Sequence, residues 1–344
     1  MKHLIIGGCG FIGYNLAYWL LLKGEKVRIV DNLSRRGTAL NLNKLQTKFK
    51  DNIEFIFADI RVDQEILDLV VREIDIIYHL AAQVAVTTSV TNPRNDFRVN
   101  ALGTFNVLEA IRLNNPNAIL IYSSTNKVYG VMEEIKINEN DKQFYYEDLV
   151  DGINERQLLD FHSPYGCSKG TAEQYVRDYY RIYGIKSVVF RQSCIYGPNQ
   201  FGIEDQGWVA WFTIAAMNEK SIKIYGNGKQ VRDVLHVNDL IRGYFAVSEN
   251  IDKTQGQVFN IGGGKNNISD LISLLKLLEK KINKKIDYSF HNWRPGDQMV
   301  YISDISKIKN IIGWVPEIDL ERGIDSLIQW TNDNKQLIKE LRIV

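Results

Sequence analysis

Tyr165 and Lys169 stand four residues apart in the run SPYGCSKG, and the stretch SSTNKVYG, residues 123–130, brings hydroxyls, an amide and an amine upstream of them. On a helix that spacing puts phenol and amine on one face, one turn apart. An ammonium beside a phenol favours the phenolate and draws its pKa down from about 10 toward working pH, which makes a base. Such a pair is common by chance, so its meaning depends on the surroundings. Thr125, with Ser124 beside it, can hold an alcohol near Tyr165 if the strand carrying them ends at a redox cofactor; Ser123 suits a turn.

The cofactor signal comes first in the chain. GGCGFIG places Gly7, Gly10 and Gly13 in GxxGxxG spacing, between a strand-like run and a helical one. Small residues there let the backbone approach a pyrophosphate, and the free N–H groups of a helix N-terminus favour its charge. Asp31 follows about twenty residues later at the end of a second strand-like run, where a carboxylate accepts from ribose hydroxyls. An acid at that position repels a 2′-phosphate, so NAD is favoured over NADP. Arg35 and Arg36 suit either a 2′-phosphate or a solvated loop. Asp59 and Ile60 suit flanking the adenine, while Asp59 also suits capping the next helix.

These groups need a scaffold that gathers them at one edge. Strands are expected at residues 3–7, 26–30, 53–58, 75–79, 118–122 and 187–191, and helices at 11–23, 62–72, 96–114 and 165–183. Alternating β-branched runs and amphipathic stretches predict an α/β fold, a doubly wound parallel Rossmann sheet, with ligands at the carboxyl edge of its strands. After Arg191 the pattern becomes short, aromatic and glycine-rich, which predicts a smaller C-terminal substrate-binding lobe. The expected division is 1–191 with returning segments at about 236–262, against 192–235 and 263–344. Residues 131–163 read as a polar insertion, either surface structure or a flap facing substrate.

Composition narrows the classes. Of 344 residues 45% are hydrophobic and 24% charged, and 42 basic residues against 41 acidic give a net charge of +1, with no block of like charge. No nucleic-acid arm and no polybasic membrane patch is expected. The apolar stretch 14–22 is too short to span a bilayer. Cys9, Cys167 and Cys194 lack CxxC spacing, and the sequence starts on a strand-like MKHLIIGG. Both point to a reduced, cytoplasmic protein without a metal site. His79, His162 and His236 have no metal-like spacing, and Cys167 suits packing.

Across nearly its whole length the chain resembles the extended short-chain dehydrogenase/reductases that act on nucleotide sugars, through GGCGFIG, Asp31, HLAAQ, Asn100, SSTNKVYG, YGCSK and RDVLHVNDL. Within them it is similar to the CDP-paratose 2-epimerase family, through DNLSRRG, QVAVTTS, DFHSPYGCSKG, RQSCIYGPNQFGIEDQGWVAWF, GNGKQVRDVLH and RPGDQMVYISDI. The resemblance implies a catalytic group of Thr125, Tyr165 and Lys169 with Ser124 adjacent. It implies cofactor contacts at Gly7, Gly10, Phe11, Ile12, Gly13, Asp31, Asn32, Asp59, Ile60, Leu80, Ala81, Ala82, Gln83 and Asn100, besides Tyr165 and Lys169. Asn100 would order the active-site helix and its solvent. Substrate contacts would fall at Thr125, Cys194, Asn199, Arg232 and Arg294, the arginines on a nucleotide diphosphate; without the family, a surface ion pair is the ordinary reading of either arginine. Cys194 stands where relatives often carry asparagine, so it either loosens the grip on the sugar or is a buried structural thiol.

In the related 4,6-dehydratases an Asp-Glu pair follows the threonine, as acid and base for elimination. Here Asn126 and Lys127 occupy those places, and an amide delivers no such proton. The Ser-Glu pair of decarboxylating relatives is also missing. The resemblance therefore implies redox chemistry without elimination: transient oxidation of a CDP-linked hexose at C2, turning of the ketosugar, and return of hydride to its other face. It also implies retained NAD and a homo-oligomer, dimer or tetramer. The motif chemistry by itself does not distinguish C2 from C4.

Overall fold

β-branched and aromatic runs build one seven-stranded sheet from β1 (Lys2–Ile6), β2 (Lys26–Asp31), β3 (Ile53–Phe57), β4 (Ile76–His79), β5 (Ile119–Thr125), β6 (Ser187–Gln192) and β7 (Val258–Ile261). The strand order is β7-β6-β5-β4-β1-β2-β3, with parallel registers from β3 through to β5. This is a doubly wound Rossmann sheet. The structure is a computed structural model that describes residues 1–294 and 297–343; Pro295 and Gly296 of the RPGDQ motif lie outside the described residues. Central strands β4 and β6 are buried along their whole length, whereas edge strand β3 leaves Phe57 exposed. Continuous apolar runs in the middle and mixed ones at the rim are what two-sided helix cover produces.

The covering helices are α1 (Phe11–Leu22), α2 (Thr38–Lys48), α3 (Gln64–Val70), α4 (Val86–Thr91), α5 (Pro93–Phe97), α6 (Gly103–Asn114) and α7 (Ser163–Tyr183). The helix expected over 96–114 is interrupted: Arg98–Leu102 form a π-helical turn between α5 and α6, with Asn100 at its centre. A π-turn inserts an extra residue into the ladder and re-aims side chains, and it tends to sit at functional places. Helices α2 and α4 were not expected, because TALNLNKLQTK and VTTSVT carry few apolar residues to set a period. Strand β5 runs on to Thr125, so SST of SSTNKVYG is extended and NKVY forms a 3-10 turn.

Contacts divide the chain into two units. The first comprises 1–128, 161–191 and 241–259, and its core joins Leu4, Ile6, Ile77, Val107, Leu120 and Val176 beneath the helices. The second comprises 129–160, 192–240 and 260–344. This division differs from the expected one in giving 129–160 to the second unit, where Ile153 bridges to Ser303. There the strand Val231–His236 pairs with Cys194–Tyr196, Ile268–Asp270 and Val300–Tyr301. Helices Trp208–Met217, Leu271–Ile282 and Leu320–Asp333 enclose its core, the last two started by Asp270 and Asp319, whose side chains accept from Ser273 N and Arg322 N. Side-chain caps of this kind satisfy otherwise orphaned N–H groups. Among the described residues no helix is long and apolar enough to cross a membrane.

Candidate active site

The glycine-rich turn is built for close approach. Gly7 has φ +86°, and a Cβ there would come within 2.6 Å of the Ala81 backbone nitrogen. A Cβ on Gly13 would sit 2.4 Å from the Gly7 carbonyl, so this glycine lets α1 pack on β1. At Gly10 a Cβ would meet only the Gly7 carbonyl at 3.4 Å. Gly10 is also the N-cap of α1, with no side-chain cap and no acid in the first turn. The first N–H groups of α1, at Phe11 and Ile12, thus lie on a bare helix start that suits a pyrophosphate.

Asp31 closes this pocket at the end of β2. Its two oxygens accept from Cys9 N at 3.0 Å and Leu33 N at 2.8 Å, which fixes the carboxylate although burial pushes its pKa above the usual range. Each oxygen keeps a lone pair for a ribose hydroxyl. Asn32 donates to Asp59 at 2.9 Å, and Arg61 embraces the same carboxylate at 2.6 and 2.9 Å, holding Asp59 down to about 2. Asp59 does not cap α3; Asp63 stands at that N-cap. The Ile60 side chain belongs to the core and presses on Gly103, and Asn106 donates to the Ile60 carbonyl.

After β4, Leu80 N and Ala81 N both bond the Ile6 carbonyl, and Ala82 and Gln83 continue the loop. Gln83 is held at every polar atom. Asn100 accepts from its N–H at 2.9 Å and donates to its carbonyl at 3.0 Å, while the Gln83 amide reaches Ala85 and Asp96. The Gln83 side chain therefore shapes the loop from within. Asn100 also donates to the Ser168 hydroxyl, and Ser168 donates to Asp96, so the π-turn is tied to the buried face of α7. Asp96 and Ser168 were missed at the sequence level. Asp96 lies four residues before Asn100, a spacing that puts both on one helical face.

Helix α7 carries the pair. Tyr165, Ser168, Lys169, Ala172, Glu173 and Val176 form its buried face, and the chain leaves the helix through Gly184 at φ +71°. Tyr165 is 8% exposed, its N–H bonds the Ser89 hydroxyl, and its phenol faces Thr125. Burial pushes the phenol up to about 12, opposed by Thr125 and the nearby Arg35 guanidinium. No hydrogen bond joins Lys169 to that phenol. Lys169 instead donates to the Ser123 carbonyl at 2.6 Å and lies 4.3 Å from the Tyr122 ring centre, because the long side chain extends along the helix face to β5. Burial brings it down to about 7, while Glu173 and Asp96 favour its ammonium. Arg35, which the sequence left as a loop residue or phosphate contact, faces both Asp31 and Tyr165.

Alternation along β5 separates the hydroxyls. Thr125 turns to Tyr165, whereas Ser124 donates to the Glu173 carboxylate at 2.6 Å and is 4% exposed. Ser124 is thereby committed to a buried partner. Glu173 meets Arg191 of β6 at 2.5 Å, both buried. Asn126 is buried beside Thr125, and Lys127 N donates to the Thr125 hydroxyl at 3.2 Å, so neither position carries a carboxylate. His79 is buried against Thr104 and pushed down to about 3 by burial, which keeps it neutral.

The remaining candidates lie in the second unit. Arg232 pairs with Asp297 at 2.7 Å, and Arg294 pairs with Asp205 at 3.0 Å while lying 3.9 Å from the Tyr225 ring centre. Asn199, at φ +67°, accepts from the Trp330 indole at 3.1 Å, which gives its oxygen a structural partner. Cys194 is half-buried and packs against that unit's core. Among the described residues no group of three His, Cys, Asp or Glu could hold a metal ion.

A Rossmann sheet with a bare glycine-rich helix start, an acid fixed at the end of its second strand and a Thr-Tyr-Lys group defines the dinucleotide-dependent short-chain dehydrogenase/reductase class. The model of the GDP-mannose 4,6 dehydratase family matches residues 4–327, and the chain belongs to this family of extended short-chain dehydrogenase/reductases. The chain is 47% identical over 340 residues to CDP-paratose 2-epimerase of Salmonella typhi, covering 96% of this chain and 99% of that one. The crystal structure of UDP-glucuronic acid 4-epimerase from Bacillus cereus, in complex with UDP-glucuronic acid and NAD, superposes with a TM-score of 0.82 at 27% identity, covering 98% and 100%. The dTDP-glucose 4,6-dehydratase of Streptomyces venezuelae, with NAD bound, gives 0.85 at 25% identity over 99% and 100%.

Proposed function

We propose that the protein is an NAD-dependent epimerase that inverts C2 of a CDP-linked hexose, of the CDP-paratose to CDP-tyvelose type. One observation carries the choice within a family that holds both epimerases and dehydratases. Thr125 faces Tyr165, one turn from Lys169, while the two positions after Thr125 are Asn126 and Lys127 in place of an acid and a base. The likeness to CDP-paratose 2-epimerase supports C2 and the cytidine nucleotide.

The fit of the cofactor rests on the open face at Gly10, the bare start of α1 and the fixed carboxylate of Asp31. When bound, NAD supplies reversible acceptance of a hydride from the alcohol carbon. Thr125 orients the C2 hydroxyl, and Tyr165 takes its proton as the carbonyl forms and gives it back as the carbonyl is reduced. Lys169 supplies positive charge at the base of this group. Arg232 and Arg294 anchor the diphosphate through charge-assisted bonds while the ketosugar turns. The buried surroundings of Tyr165 exclude water, so the ketone is returned rather than released.

Exposed apolar residues on α6 and α7, among them Phe105, Leu113, Tyr175 and Ile182, support a homo-oligomer. Free cysteines suit a reducing, cytoplasmic compartment.

The test is turnover of CDP- and UDP-linked hexoses with product stereochemistry read by NMR. Inversion at C2 of a CDP-hexose is expected. Inversion at C4 would move the reaction to another carbon, and bound NAD without turnover on any sugar would indicate a sensor rather than an enzyme.

A further inference from the structure

The buried face of α7 does not stop at Lys169. Four residues on, Glu173 is fully buried, a position that carboxylates occupy only when paired. One oxygen meets the Arg191 guanidinium at 2.5 Å and the other accepts from the Ser124 hydroxyl at 2.6 Å. The three groups come from α7, β6 and β5, so the carboxylate is fixed from three sides. Tyr165, Lys169 and Glu173 thus form one stripe at single-turn spacing, each reaching β5: Tyr165 at Thr125, Lys169 at the Ser123 carbonyl, Glu173 at Ser124.

We propose that Glu173, fixed between Ser124 and Arg191, is a positioning residue that keeps Lys169 in its ammonium form and so governs the alkaline limit of turnover. This rests on the reading of Lys169 as the active-site ammonium. The Lys169 amine has little else to hold its proton. It bonds one carbonyl, lies over the Tyr122 ring and has the neutral His79 on β4 nearby. Two carboxylates face it, Glu173 from its own helix and Asp96 from α5. Asp96 is partly satisfied by Ser168, Gln83 and Asn100, and burial raises its pKa, which weakens it as a permanent charge. Glu173 is backed by the guanidinium of Arg191, with Arg177, one further turn along the same helix, adding a second positive charge. Ser124, which stands next to the catalytic threonine yet turns inward, acts through this carboxylate.

The sign is fixed by the chemistry. Ammonium is present below the Lys169 pKa and lost above it, and a neighbouring negative charge raises that pKa. Removing the charge therefore moves the alkaline fall in activity to lower pH. Turnover of the NAD-loaded enzyme should be followed from about pH 6 to about 10 for wild type, E173Q, E173D and S124A, with K169M as reference. In E173Q the alkaline limb is expected to move down by about one pH unit, while E173D, which keeps the charge, stays near wild type. S124A should move the limb the same way by less.

An E173Q enzyme with an unmoved limb, or equal pH-independent losses in E173Q and E173D, would overturn the proposal. If E173Q does not fold, S124A decides, and an unmoved limb there overturns it equally. Wild-type turnover by K169M would instead strike at the catalytic reading itself. An inactive K169M with an unmoved E173Q limb would defeat the role of Glu173 alone.

Discussion

The charges of the candidate site are held in opposite ways in the two units. In the first, Glu173 and Arg191 have side-chain exposures of 0% and 3%, and Lys169 and Asp96 are buried as well. In the second, Arg232 and Arg294 pair with Asp297 and Asp205, whose side chains are 26% and 49% exposed. A buried pair cannot change partners without leaving an uncompensated charge, whereas a half-exposed carboxylate can swing into water and surrender its arginine. The difference suits two tasks. The proton-handling group must stay fixed through both halves of the reaction, while the candidate diphosphate-binding arginines must exchange a protein anion for a ligand anion each cycle.

The largest effect expected on the fixed side is chemical. Y165F should lower turnover by about 10²–10⁴-fold with NAD still bound, measured as initial rate on the CDP-hexose; inversion at full speed would remove the base from the account. Next comes stability. R191M leaves Glu173 buried without its counter-charge and should cost about 3–5 kcal/mol, read from the denaturant midpoint. A loss below about 1 kcal/mol would mean that the pair is not fixed in the sense used above.

On the exchangeable side the effects are smaller and of another kind. R232Q should raise KM about tenfold or more while kcat changes little, because the contact proposed for Arg232 would anchor the nucleotide throughout the reaction. D297N should leave stability within about 1 kcal/mol, since it removes one partner of a partly exposed pair. A D297N enzyme as destabilised as R191M would erase the contrast between the units.

Much of this was legible in the sequence, and for identifiable reasons. The glycine turn, Asp31 and the Tyr165–Lys169 pair are local patterns whose spacing alone sets their geometry. What escaped depended on partners distant in the chain. Ile60 is drawn into the core by the bare Cα of Gly103, Asn199 is claimed by Trp330, and Ser124 is turned inward by strand alternation toward Glu173. The π-turn at Asn100 forms where bonds to Gln83 and Ser168 repay the extra residue, and neither partner is near it in sequence. Helical spacing puts Lys169 one turn from Tyr165, but spacing does not reveal the Ser123 carbonyl that takes the amine. Helix α2, with its sparse apolar residues, gave no period to read.

The central claim is that the hydrogen at the inverted carbon is borrowed and returned, never exchanged with water. A CDP-hexose carrying deuterium at C2, turned over to equilibrium in ordinary water, tests it most directly. Product inverted at C2 that keeps its deuterium there is the predicted result. Inverted product carrying protium at C2 would mean that the carbon had been deprotonated, and would contradict the account.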